Sequence, residues 1–431
     1  MNREKTVLFV TYGGGHARMV IPVLWALAGI AGIRTVTLAL TSAGPLFDSA
    51  GLPYFGYKDL LTAEDTVASD WGNLLATKHH RPEIGIAKEE SIAYLGLSYW
   101  DMIQRHGDAE AARLFQEHGR QAFYPLSIME RVMDKFTPDM VVTTNSPRSE
   151  QAAVTVAKGR GIPTLSMFDI LGTYSVIPLE ADYITVLSEP VISNIQAYQG
   201  VKPNQTFLVT GNPAFDSIFD ERGPIDYSWR RQYLPGMPEQ AKALLWIDAA
   251  GHHSADPTDA HGYKTHLHSD KEIGTNLDQL ARAARYSGAC LLIRPHPSQP
   301  AAVFHEWIRK AGYDHVFFAG DLPMHPLLRA VNAVAIYYST VGCEAVLMQR
   351  PVLQLNYYDA NALLPLGEWG LARLVEQPQD LPDALRETLN DTRMTEHLLS
   401  RATELFPQER AAPKIAGHIK QILFHGRAAV A

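Results

Sequence analysis

The sequence predicts an α/β protein made of two doubly wound, Rossmann-like halves that face a central cleft. Three observations carry this expectation. At 431 residues the chain is too long for one ordinary hydrophobic core, and about two domains is the natural division. Short, continuous apolar runs alternate with stretches long enough for helices, as in a parallel sheet covered on both faces. The alternation runs twice, and Gly200, Pro203 and Asn204 mark the pause between the two series. The expected division is 1–204 and 205–431.

The first series opens with the strand Thr6–Val10 (TVLFV), which ends at a glycine cluster and is followed by an apolar helical segment. Thr35–Leu40 (TVTLAL) is the next strand, closed by a turn at Ser42-Ala43-Gly44-Pro45. Met140–Thr144 (MVVTT), Thr164–Phe168 (TLSMF) and Tyr183–Leu187 (YITVL) complete it. Residues 63–130 break the rhythm. Helix formers mixed with Trp71, Tyr94, Tyr99, Trp100 and Phe123 predict a helical insertion lying over the first half, either as plain packing or as an acceptor-binding lid. The second series runs through Phe207–Thr210, Ala243–Ile247, Cys290–Ile293, His315–Phe318, Ala333–Tyr337 and Pro351–Leu355.

Charge and composition narrow the function. A net charge of −8 would repel the phosphates of DNA or RNA, so nucleic acid is not an expected partner, although a local basic pocket remains compatible with it. Cys290 and Cys343 are too few for a disulfide framework and match no zinc spacing, which points to a reducing compartment. The longest apolar run, Met19–Ile33, contains Pro22 and is shorter than the roughly 20 residues of a membrane span. Polar residues at Gly13–Arg18 interrupt what could otherwise be a signal peptide. The expected location is cytoplasmic.

Four motifs carry chemistry. Tyr12-Gly13-Gly14-Gly15-His16 lies between the first strand and the first helix. Glycines there allow a sharp turn and close backbone approach to a ligand, and the helix start offers free N–H groups. It is not a dinucleotide fingerprint, since Arg18 stands at the sixth position, and a plain tight turn would look the same. Val209–Asp216 (VTGNPAFD) supplies a turn at the expected hinge through Gly211 and Asn212, again compatible with structure alone. Leu292–Pro297 (LIRPHP) delivers Arg294 and His296 to the C-terminal end of a buried strand, where open α/β sheets bind ligands. Prolines on both sides stiffen His296, and a cation beside an imidazole suits a phosphate. Finally, Ser339 and Thr340 are expected to cap a helix at a phosphate site. Glu344, one turn further, could accept two hydrogen bonds from a ribose diol or simply complement the helix dipole.

Together these motifs resemble the GT-B superfamily of nucleotide-sugar enzymes, which includes UDP-glycosyltransferases and the non-hydrolysing UDP-N-acetylglucosamine 2-epimerases. The glycine–histidine turn looks like the N-terminal loop of lipid II-type N-acetylglucosaminyl transferases. TGNPAFD is similar to the epimerase TGN-x-x-x-D segment. RPHP with Ser339-Thr340 resembles the HP and Ser/Thr motifs of transferases that use CMP-activated acidic sugars such as sialic acid or Kdo. Two departures argue against epimerase chemistry. Ser339-Thr340-Val341-Gly342 stands where that pattern has Ser-Gly-Gly, and Ile247–His253 (IDAAGHH) where it has His-Arg-Arg-Glu.

The resemblance implies a metal-independent GT-B glycosyltransferase acting in polysaccharide or glycoconjugate synthesis. The nucleotide sugar is its substrate, and no separate cofactor is expected. Gly211, Asn212, Arg294, His296, Ser339, Thr340 and Glu344 would hold the donor. Gly14, Gly15, Asn145 and Arg148 would face a glycan, lipid-linked or small-molecule acceptor, with room for peripheral membrane contact. His16 is the first candidate for the base that deprotonates the acceptor, because an imidazole titrates in the right range, and Asp169 is the second. A sugar-nucleotide epimerase and a noncatalytic sugar-nucleotide binder stay open as alternatives. One feature falls outside this scheme. His252, His253, His261, His266 and His268, with Asp248, Asp256 and Asp259, crowd one segment, but no two histidines have the i, i+4 spacing of a helical metal motif such as HExxH, so a polar cleft loop is expected there.

Overall fold

A computed structural model describes residues 3–82, 85–145, 147–169, 171–173, 179–198, 200–248, 270–296, 299–357 and 363–426. The chain forms two six-stranded, all-parallel sheets flanked by helices. The first contains β1 (Lys5–Thr11), β2 (Ile33–Ala39), β3 (Met140–Thr144), β4 (Thr164–Met167), β5 (Tyr183–Val186) and β6 (Thr206–Val209), in the order β2-β1-β3-β4-β5-β6. The second contains β7 (Lys242–Ile247), β8 (Ala289–Arg294), β9 (Val316–Phe318), β10 (Ala333–Ile336), β11 (Val352–Leu355) and β12 (Ala372–Val375), in the order β12-β11-β10-β7-β8-β9. Central strands such as β3 and β10 are buried at every position, which is why they read as unbroken apolar runs rather than alternating ones.

Each order reverses once, and crevices form at such switch points, outside the C-terminal strand ends. In the first sheet the switch lies between β1 and β3, and in the second between β7 and β10. The turn leaving β1 leads into His16 at the start of the next helix, the loop leaving β3 carries Asn145 and Arg148, and the loop leaving β10 carries Ser339 and Thr340.

The sequence misplaced one strand. Phe207–Thr210 is expected to open the second series, yet the strand forms at Thr206–Val209 and pairs with β5 in register from Tyr183↔Thr206 to Val186↔Val209, at the edge of the first sheet. The punctuation at 200–204 is the turn before this last strand, and the second sheet begins at Lys242. The passage between halves is the crossover 210–226. A second connection returns: the helix Ala411–His425 packs Ile415, Ile419 and Ile422 against Met19, Val20 and Val23 of the first helix, Gly15–Ala28. Burying each isoleucine stabilises this contact by about 1.5–3 kcal/mol.

The insertion is helical, with Thr66–His79, Lys88–His106 and Asp108–His118 followed by Leu126–Phe136. Its aromatics, among them Tyr94, Tyr99 and Phe123, share one core with Leu8 and Val10 of β1 and Val141 of β3. Among the described residues no helix is long and apolar enough to cross a membrane.

Candidate active site

The glycine turn brings the first helix close to its neighbours. A Cβ at Gly13 would lie 2.7 Å from the backbone carbon of Ser42, and Gly14 adopts φ 68°, a left-handed conformation that side chains disfavour. The turn sets His16 in the first turn of the helix, above the end of β3.

There it joins a chain of hydrogen bonds. Glu150, fully buried in the first turn of the helix Ser149–Gly159, accepts from the Tyr12 main-chain N–H at 3.0 Å and from the Thr144 hydroxyl at 2.6 Å. Thr144 Oγ1 lies 2.7 Å from His16 Nδ1. A hydroxyl has one proton, and Glu150 takes it, so the ring nitrogen must donate to Thr144. The other nitrogen, Nε2, lies 3.2 Å from Asp169 Oδ2. Two lone pairs would repel there, so a proton occupies that gap as well. Burial by itself would lower the His16 pKa, but the hydrogen bonds and charges of Asp169 and Glu150 outweigh it and push the pKa up to about 10. His16 is thus an imidazolium at neutral pH, with neither nitrogen free to take a proton.

Asp169 follows β4. Its main-chain N–H donates to Asn145 Oδ1 at 3.0 Å, while its Oδ1 is buried without a hydrogen-bond partner. The loop that carries it touches the second half: Thr173 Oγ1 donates to the Leu363 carbonyl at 2.9 Å, and Phe168 and Leu171 share a core with Leu364 and Leu366. Arg148 sits at φ 69°, ψ −120°, just before the Ser149–Gly159 helix, a conformation costing about 1–3 kcal/mol for a residue with a side chain. Its guanidinium lies 4.4 Å from the Tyr12 ring centre, and its Nε is buried and unpartnered. Behind it, the Tyr12 hydroxyl bonds those of Tyr94 and Ser149, and Ser149 also bonds the Tyr57 hydroxyl, so the insertion helix that carries Tyr94 reaches the wall of the site.

On the second half, Arg294 ends β8 and donates through Nη1 to the carbonyls of Ala319, at 3.1 Å, and Leu322. Burial lowers its pKa. His296 is exposed, and its main-chain N–H donates to Gln299 Oε1 at 2.7 Å. Gln299 in turn donates to Asp248, a buried carboxylate at the end of β7. The expected caps are corrected: Thr340, just before the helix Val341–Leu347, makes no side-chain capping bond, and Ser339 Oγ receives only a long 3.4 Å contact from the Val341 N–H. The helix starts with Thr340 already in helical dihedrals, which turns its hydroxyl away from the capping position. Glu344 is bound to His325, whose Nε2 lies 3.0 Å from Glu344 Oε2.

Gly211 and Asn212 sit in the crossover. The Asn212 carboxamide accepts from Ala214 N–H in its own turn, and Asp216 accepts from the Ala411 and Ala412 N–H groups, which begin the returning helix. This motif therefore latches the two connections between halves. The histidines 252–268, with Asp256 and Asp259, lie outside the described residues.

The structure thus gathers His16, Asn145, Arg148 and Asp169 in one place, and Arg294, His296, Ser339 and Glu344 along the facing strand ends of the other sheet. Sequence reasoning missed Thr144, Glu150 and His325. The first two carry no local signal, since a threonine in a strand and a glutamate in a first helical turn are ordinary. His325 has one: it forms a second His-Pro pair like that at 296–297.

Compared with solved structures, the chain has the GT-B fold. It is similar to the UDP-GlcNAc 2-epimerase of Neisseria meningitidis bound to UDP-GlcNAc, at 14% identity and TM-score 0.57, over 97% of this chain and 99% of that one. The Staphylococcus aureus MnaA–UDP complex gives 14% identity and TM-score 0.59 over 97% of each chain. MurG of Acinetobacter baumannii gives 13% and 0.53 over 97% and 99%. Residues 262–363, well under half of the chain, match the family model of capsule polysaccharide biosynthesis proteins, and the match includes Arg294, His296, His325, Ser339, Thr340 and Glu344. No curated protein sequence matches this chain.

Proposed function

We propose that the protein is a glycosyltransferase that moves a sugar from a nucleotide-activated donor to a hydroxyl acceptor, in the synthesis of a cell-surface glycan or glycoconjugate. The observation that carries this reading is the Glu150–Thr144–His16–Asp169 chain. It puts proton-handling groups on the half opposite the phosphate-type residues, where an acceptor would meet a donor. Both His16 nitrogens are occupied, so the group left to take a substrate proton is the Asp169 carboxylate, whose side chain keeps 24% of its surface exposed. Asp169 is the base in this reading, and the His16 imidazolium orients it.

The acceptor hydroxyl gives its proton to Asp169 as its oxygen bonds to the anomeric carbon. The sugar–phosphate bond breaks, and its electron pair leaves with the nucleotide phosphate. Arg294 and His296, with Ser339 and Thr340 beside them, favour that developing charge, and the Glu344 carboxylate receives the ribose. Arg148, stacked on Tyr12, faces the acceptor. The capsule family match over the second-half residues supports glycan synthesis as the setting. Cys290 and Cys343 are free and buried, which supports a reducing, cytoplasmic location.

The epimerase named among the structural neighbours favours a second reading, in which the same acid–base pair acts on the bound sugar itself. A thermal-shift screen against UDP, CMP, CDP, GDP and TDP identifies the nucleotide, and the matching nucleotide sugars are then incubated with and without candidate acceptors. The proposal expects free nucleotide to be released in proportion to acceptor. A new sugar nucleotide formed from donor alone would replace it with epimerase chemistry. Donor binding with no release under any condition would make the chain a noncatalytic binder.

A further inference from the structure

We propose that His325 is a positioning residue that holds Glu344 for the nucleotide ribose and ties it to the crossover between the two halves. The inference rests on the reading of Glu344 as the ribose contact.

His325 lies in the helix Met324–Arg329, and its Nε2 is 3.0 Å from Glu344 Oε2. An ionised carboxylate only accepts, so Nε2 is the donor. The opposite nitrogen, Nδ1, faces Ser217 Oγ at 3.1 Å and Glu221 Oε1 at 3.3 Å. Both belong to the crossover 210–226. His325 and Glu344 each keep 17% of their side-chain surface exposed, so the contact is sheltered from competing water yet open at one edge. Two carboxylates on one ring favour the doubly protonated form, in which both nitrogens donate; burial opposes this, but the net direction for His325 is upward.

Free glutamate side chains have several rotamers, and only one presents a carboxylate to a given diol. His325 fixes that rotamer through Oε2 and leaves Oε1 for the ligand, so less freedom is lost on binding. Its own place is set from below: the Arg294 guanidinium holds the carbonyls of Ala319 and Leu322, in the loop that leads into the His325 helix. One imidazole therefore connects the end of β8, the candidate ribose contact and the crossover. The crossover is in turn latched to the returning helix by Asp216.

The test measures binding of UDP and CMP and of their 2′-deoxy counterparts by calorimetry, for wild type, Glu344→Ala, His325→Phe and His325→Gln. Wild type is expected to prefer the ribonucleotide, and Glu344→Ala to lose the preference. His325→Phe keeps a ring but no N–H, and should reduce the preference by about 3–10-fold, the scale of one lost preorganised side chain. His325→Gln, whose amide can still donate to Glu344, should recover part of it. A purely structural role would weaken ribo- and deoxynucleotides alike and leave their ratio unchanged. If Glu344→Ala loses the preference while His325→Phe retains it, the positioning role is overturned and the ribose reading stands. If Glu344→Ala keeps the preference, or wild type has none, the ribose reading falls and this proposal with it. Should His325→Phe not fold, His325→Asn, too short to bridge the gap, carries the same expectation.

Discussion

Among the described residues, fully buried charge in the first half is carried by carboxylates, and in the second mainly by guanidiniums. Glu150 accepts from the Tyr12 N–H, Glu90 from those of Tyr57 and Lys58, Asp101 from that of Ser127, and Asp182 from that of Thr164. Across the crossover, Arg230 donates to the carbonyls of Ala330, Glu239 and Ala241, Arg350 to those of Leu328, Gln349, Gly223 and Arg329, and the half-buried Arg294 to those of Ala319 and Leu322. Asp248 is the exception among the described residues. A buried ion persists only where its hydrogen-bonding capacity is met, and the backbone offers donors and acceptors equally. Position decides which of these ions bear on the site: Asp182, Arg230 and Arg350 lie at the N-terminal strand ends, before β5, β7, β10 and β11, and serve the fold, whereas Glu150 and Arg294 stand at the C-terminal ends, beside the candidate site.

The largest effect should come from breaking the second pattern. Arg230→Met orphans three carbonyls, at about 1–3 kcal/mol each, and should cost several kcal/mol in chemical denaturation. A loss under about 1 kcal/mol would mean that water takes over the carbonyls, and the contrast would lose its energetic basis. On the first half, Asp169→Asn should cut turnover by about 10²–10⁴-fold and leave nucleotide affinity within about twofold. Normal turnover would return the base role to another group.

A subtler change is Glu150→Gln, followed by stability against pH. The folded pKa of His16 is raised to about 10 from the 6.5 of an ordinary imidazole. Its stabilising contribution is then complete below about pH 6.5 and is lost as the pH rises through about 10. The stability difference between wild type and Glu150→Gln should accordingly shrink over that window. Parallel curves would show that Glu150 does not sustain the His16 charge.

Smaller still, Asp216→Ala removes both acceptors at the start of the returning helix and should cost about 1–2 kcal/mol. The smallest effect compares two variants of one residue. Arg148→Gly and Arg148→Ala both lose the Tyr12 stack, but only glycine relieves φ 69°, so the glycine variant should be about 1 kcal/mol more stable than the alanine variant in thermal unfolding. Equal stability would mean that the surrounding structure, not the side chain, imposes the strain.

The fold was legible where burial is complete, because a strand covered on both faces leaves an unbroken apolar run. It was not legible at the edges. β12 has an exposed Arg373 in its four residues and escaped notice, while β6, only partly buried, was seen but assigned to the wrong sheet, since pairing partners leave no trace in a short edge strand. In the site, His16 stood out because glycines preceded it. Glu150 and Thr144 did not, because their meaning lies in contacts that bridge 138 and 128 residues of sequence to Tyr12 and His16. His16 was read as a base from its side-chain type, and only its neighbours reveal that it is already charged.

The returning helix has a consequence for synthesis. Asp216 and Ala411, which join it to the crossover, are separated by 195 residues. At ordinary ribosomal rates that stretch takes roughly 10–40 s to make. For that interval Met19, Val20 and Val23 on the first helix lack the isoleucines that later cover them. The half that is translated first is therefore among the last to close, and a ribosome stalled before residue 411 would carry a chain with an unsealed apolar face, the species on which chaperones would act.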